Sequence, residues 1–120
     1  LLYLRNQAEV SFQISKYSEL LVELLQLPQL LCLTHKPEIQ DYLRVQTVNG
    51  IARPLQINVF EKLRDLMKGY LKIIKGRNLP IITNIITTLR HLLIGPCPEN
   101  QKEMVVKKVS AVLEELYALL

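Results

Sequence analysis

Prolines and glycines alternate along this chain in the order that helix ends require. Pro37, Pro54, Pro80 and Pro98 each stand before an apolar pattern of helical period, and Gly50, Gly76 and Gly95 each follow one. Proline suits a first helical turn, where its missing N–H had no partner within the helix. Glycine suits the left-handed residue that closes one. Such punctuation confines the chain to helices of modest length joined by short turns. The expected fold is all-α: five or six antiparallel amphipathic helices, stacked, with no β-sheet.

Apolar spacing fills in the helices. Over residues 54–75, Phe60, Leu63, Met67, Tyr70, Leu71 and Ile74 recur at three and four, the interval that puts side chains on one helical face. Residues 80–94 place Ile82, Ile85, Ile86, Leu89, Leu92 and Leu93 together. β-branched residues crowd this segment, so its own helix propensity is mediocre and it must lean on its neighbours. It is expected at the centre, with Ile82, Ile85, Ile86, Leu89 and Leu93 nearly fully buried. A last helix should start at Asn100, capped by that side chain with Glu103 reaching back, and bury Val105, Val109, Val112, Leu113, Leu116 and Tyr117. A shorter one over 37–48 presents Ile39, Tyr42, Leu43 and Val48. Ser18 is placed to cap a helix that Pro28 interrupts near Leu27, and residues 1–14 read as helix or irregular chain. Gly69, in mid-helix, suggests close packing against another helix.

At 120 residues with 49% apolar side chains, the chain has the length and composition of one domain with its own core. Residues 1–120 are taken as a single α-helical domain. Its leucine-rich ends lie inside apolar patterns, which suggests a segment of a larger protein whose ends meet neighbouring helices or a second copy. No run approaches the roughly twenty apolar residues of a membrane span. Cys32 and Cys97 lack CxxC or Cys/His spacing. They read as free thiols in a reducing compartment, cytoplasmic or nuclear. A disulfide between them would fit instead a secreted, cytokine-like bundle.

Chemistry-bearing patterns are scarce. His35 lies in the loop before the 37–48 segment and His91 on the polar side of 80–94, and both are expected as solvated side chains. Neither has metal-ligand spacing to Cys, Asp or Glu. Glu19/Glu23 and Glu61/Asp65 are carboxylate pairs on helix surfaces, without a pocket to split their pKa values. There is no phosphate-binding glycine loop and no nucleophile elbow. The expectation is a non-enzymatic chain with no cofactor and no metal. Net charge is +4, and the excess is local: residues 53–77 hold seven basic side chains against Glu61 and Asp65. Arg64, Lys68, Lys72 and Lys75 follow one helical face, with Arg77 just beyond. Such a row complements a helix C-terminus, and it also forms an anion-seeking surface for an acidic peptide or nucleic acid.

Two helix pairs, 37–49 with 54–75 and 80–94 with 98–120, overlay at offsets of 43 and 46 positions. A period in the forties belongs to paired-helix repeats. On that repeat length, the proline-started helices and the apolar stripes, residues 18–120 resemble armadillo/HEAT-type helical repeats. The alternative is a closed helical bundle with short loops. The resemblance implies a scaffold that grips a peptide or a folded domain. The function read from the sequence is thus a protein–protein interaction module, using an apolar groove between helices or the basic face of Arg64, Lys68, Lys72, Lys75 and Arg77. Nucleic-acid binding through 64–77 is the alternative.

Overall fold

In the computed structural model the described residues are 19–71 and 79–119. They form six helices and one small hairpin: α1 over 19–31, α2 Pro37–Tyr42, β1 Thr47–Val48, β2 Ile51–Ala52, α3 Val59–Leu71, α4 Leu79–Leu93, α5 Pro98–Val106 and α6 Val109–Leu119. The protein is all-α, a helical bundle. Ser18, residues 1–14, Ile74, Gly76, Lys72, Lys75 and Arg77 lie outside the described residues.

Local chemistry moves several boundaries away from those that the punctuation suggests. α1 runs through Pro28, which removes only one N–H from the ladder; the Cys32 N–H still reaches the Pro28 carbonyl at 3.1 Å. α2 is shorter than expected, because the chain turns back at Asn49-Gly50. Both residues have left-handed φ, +53° and +77°, the backbone that a two-residue hairpin needs. Thr47 then pairs with Ala52 and Val48 with Ile51, so a two-stranded sheet stands where none was expected. Two glutamines clasp its legs. Gln46 N–H donates to Gln56 Oε1 (2.8 Å), and Gln56 Nε2 donates to the Gln46 carbonyl (2.7 Å).

α3 starts at Val59 rather than at Pro54. Asn58 supplies the cap, its Oδ1 accepting from the N–H of Phe60 at 2.9 Å and of Glu61 at 3.3 Å. Asn100 does not cap the last helix, and the capping box with Glu103 does not form. Asn100 is fully buried in the third position of α5, and Glu103 instead accepts from Asn58 Nδ2 at 2.6 Å. The expected single last helix is two, broken at Lys107–Lys108, where Lys108 takes φ +60°. The break turns the Lys107 carbonyl outward to accept from Arg64 Nη1 at 3.1 Å, which ties α3 to the α5–α6 corner. With α2 at 6 residues and α4 at 15, the two halves that overlay in sequence are unequal in structure.

The core gathers Phe60, Leu63, Met67 and Tyr70 of α3, Val109, Val112 and Leu116 of α6, and α4. From α4 come Ile81, Ile82, Ile85, Thr88, Leu89 and Leu92. α4 is central as its composition demands, but its buried face is rotated. Ile86 is 44% exposed, Leu93 only half-buried, and Ile81 takes the buried place instead. The expected stripes lose their outer members in the same way. Val105 and Tyr117 are 73% and 83% exposed, Tyr42 and Val48 also face solvent, and a side chain at Gly69 would meet nothing within 4 Å. Hydroxyls and an amide on α4 bond back to carbonyls one turn earlier: Thr87 to Thr83, Thr88 to Asn84 and Asn84 to Pro80, at 2.7–2.8 Å. Such bonds let polar β-branched residues sit in a helix without an unmet hydroxyl.

Truncating Ile85 or Leu92 to Ala should therefore cost about 2–5 kcal/mol in urea unfolding, whereas Ile86→Ala should cost about 1 kcal/mol or less.

Candidate interaction surface

α1 carries seven leucines in thirteen residues, and the fold uses only part of them. At 3.6 residues per turn, Leu21, Leu25, Pro28 and Cys32 form one stripe; Leu20, Leu24, Leu27 and Leu31 form a second, about 100° round the helix. The first stripe faces the core: Leu25 and Cys32 are buried, Leu21 and Pro28 half-buried. Polar bonds fix that orientation. Thr88 Oγ1 shares its one proton between the Asn84 carbonyl and the Leu25 carbonyl, the latter at 3.2 Å, and Gln29 Nε2 donates to Thr88 Oγ1 at 3.1 Å. Among the described residues nothing covers the second stripe. Leu24 and Leu27 are 56% and 58% exposed, and Leu20, Leu31, Leu30 and Leu33 are comparably open.

Two grooves adjoin other apolar side chains. One, about 340 Å³, is lined by Ile86 of α4 and by Leu113, Glu114, Leu116 and Tyr117 of α6. The other, about 260 Å³, lies between α1 and α4 and is lined by Gln26, Gln29, Leu30, Leu33 and His91. The exposure of Ile86 and Tyr117, which places both at the first groove, was missed by expecting them in the core. The α1 stripe left a signal in the sequence: two sets of apolar residues one position apart, each at spacings of four, three and four.

The basic row is only partly within the described residues. Arg64 is half-buried, with Nε and Nη2 on the Asp65 carboxylate at 3.0 Å and Nη1 on the Lys107 carbonyl. Lys68 is exposed one turn further along α3. The structure thus puts the first member of the row to internal use. Glu61 similarly meets Lys107 Nζ at 3.5 Å.

The histidines are not separate solvated side chains. Their rings stack, with centroids 6.0 Å apart and planes 16° from parallel, and both Nδ1 atoms are buried without a hydrogen-bond partner. His35 reaches this position through a left-handed backbone, φ +52°, beside Gly95. Among the described residues no three His, Cys, Asp or Glu side chains gather where a metal could be held. Cys32 and Cys97 are buried free thiols. Burial raises both pKa values above the ordinary thiol range. The nearby Cys97 adds to the effect on Cys32, and Asp41 adds to that on Cys97.

A raised folded-state pKa keeps the thiols neutral while the unfolded chain would ionise. That stabilisation is fully present below the unfolded value, about 8.5, and is lost as pH rises through the folded one. Urea stability should accordingly fall as pH rises above about 8.5, and the fall should shrink in Cys32→Ala/Cys97→Ala.

No helix among the described residues is long and apolar enough to cross a membrane. No curated protein and no solved structure matches the chain at a significant level. A family model does, the one described as RyR and IP3R Homology associated, and it matches residues 15–117. That span begins just before α1 and ends inside α6, so it takes in the whole helical core together with the uncovered leucine stripe. Matched over most of its length, the chain belongs to the RyR and IP3R Homology associated family.

Proposed function

We propose that this domain is a non-enzymatic protein–protein interaction module, seating a protein partner on apolar helical surface. The observation that carries the reading is α1. A helix with two adjacent apolar stripes is normally covered along both, and exposed apolar patches of this kind mark interaction sites. The family's description, which refers to homology with RyR and IP3R channel receptors, is compatible with a scaffold part of a larger assembly. An intracellular, reducing setting suits the two buried thiols.

Nucleic-acid binding through residues 64–77 has less support. A row that must attract phosphate by charge loses strength when its first guanidinium is already satisfied by Asp65 and the Lys107 carbonyl.

A photo-crosslinking residue at position 24 tests the reading. It should give one discrete protein adduct in a cell extract, and Leu27→Gln/Leu31→Gln should abolish that adduct. The same probe at Lys102, exposed on α5, should give none. Equal labelling from both positions would contradict a specific partner surface. The glutamine variant should keep its thermal midpoint within a few degrees, because the leucines it replaces are already largely in water.

A further inference from the structure

Two features of α1 together specify what can lie on it. Leu20, Leu24, Leu27 and Leu31 follow the four-three-four spacing of a left-handed coiled-coil seam. Glu19 and Glu23 run along the outer edge of that seam, both exposed and one turn apart. The opposite edge, Leu21 and Pro28, turns into the protein's own core. A docked helix therefore meets leucines in the middle and carboxylates on the one edge left open.

Resting on the interaction reading above, we infer that the occupant of this face is an amphipathic helix of another protein. It presents leucine-type residues at three- and four-residue spacing, with Lys or Arg along the edge facing Glu19 and Glu23. A second copy of this chain is a poorer fit. Residues 19–35 contain no Lys or Arg. Two α1 helices side by side in parallel would set Glu23 beside the other helix's Leu21 and Pro28, the edge already turned into its own core, and antiparallel pairing would offer the carboxylates only leucine and glutamine. Like charges along a seam repel, whereas opposite charges at flanking positions choose the partner and its orientation. The acidic edge makes this a selective surface rather than a generally adhesive one.

The test uses the 120-residue chain and two synthetic helical peptides with the same leucine seam, one flanked by lysines and one by glutamates. Binding is followed by fluorescence anisotropy. The lysine peptide should bind about fivefold or more tighter, the gain expected from two exposed charge pairs. Its advantage should collapse at high salt. Glu19→Lys/Glu23→Lys, checked for unchanged helicity by circular dichroism, should reverse the preference. Equal binding of both peptides, each lost in Leu24→Gln/Leu27→Gln, would overturn the charge rule and leave the interaction reading standing. Failure of both peptides would overturn the proposal. So would concentration-dependent dimerisation of the chain alone that Leu24→Gln/Leu27→Gln removes, since the occupant would then be a second copy.

Discussion

Helix α4 ends against α2 and α5, and the carbonyls on that inner side of its last turn must find donors without help from bulk water. Two buried side-chain amides supply them. Gln40 of α2 donates from Nε2 to the His91 carbonyl at 2.9 Å and to the Ile94 carbonyl at 2.7 Å. Asn100 of α5 donates from Nδ2 to the Leu92 carbonyl at 3.0 Å and to the Gln40 carbonyl at 2.9 Å. Its Oδ1 accepts from Arg44, which also holds Asp41. α2, α4 and α5 therefore meet at one point through two amides, Gln40 and Asn100, that are wholly buried. A buried amide left without partners costs more than a surface bond is worth, so these contacts fix the relative placement of three helices as well as holding them. Gln40 Oε1 has no partner; the two carbonyls claim the amide's donor end and leave its acceptor end over.

That junction explains how a helix of poor intrinsic propensity can be the centre of the fold. α4 has the β-branched Ile81, Ile82, Ile85 and Thr88 on its inner face, and bonds along the helix and at its C-terminal end hold it in place. Thr87, Thr88 and Asn84 bond back along the helix, Thr88 also reaches across to α1, and Gln40 and Asn100 close its C-terminal end. The aliphatic residues between them are then free to pack on α1, α3 and α6. α1 is the outermost partner in this scheme. It docks through Leu25, Cys32 and Gln29, and its remaining leucines are left facing outward.

Helix existence was legible in the sequence because proline, glycine and the three-four period report backbone chemistry directly. α3 and α4 and the central place of α4 follow from them. What was not legible depended on side chains acting at a distance. Nothing near Asn100 in the chain tells that its amide belongs to α4 and α2 rather than to its own helix end. A rotation of α4 by less than one residue's step of about 100° brings Ile81 in and turns Ile86 out, and periodicity does not resolve so small a rotation when both are isoleucine. Asn49-Gly50 is a strong hairpin signal, but strands of two residues leave no alternating pattern beside it, so Gly50 fits a helix end equally well. The basic row Arg64, Lys68, Lys72, Lys75 and Arg77 followed from spacing alone, and spacing cannot show that Asp65 and the Lys107 carbonyl already engage Arg64. The leucines of α1 were readable in principle: two stripes one position apart cannot both face the same core.

If the amide junction is what positions α4, its two members must act as a unit. A double-mutant cycle in urea tests this most directly, with Gln40→Ala, Asn100→Ala and the pair measured on the same chain. Each single change leaves buried carbonyls unmet and loosens the same helix end. The pair should therefore destabilise the protein by less than the two singles together, with a coupling of about 0.5–3 kcal/mol. Costs that add to within about 0.5 kcal/mol would mean the two amides act independently, and would contradict a junction at the end of α4 as the organising contact of this fold.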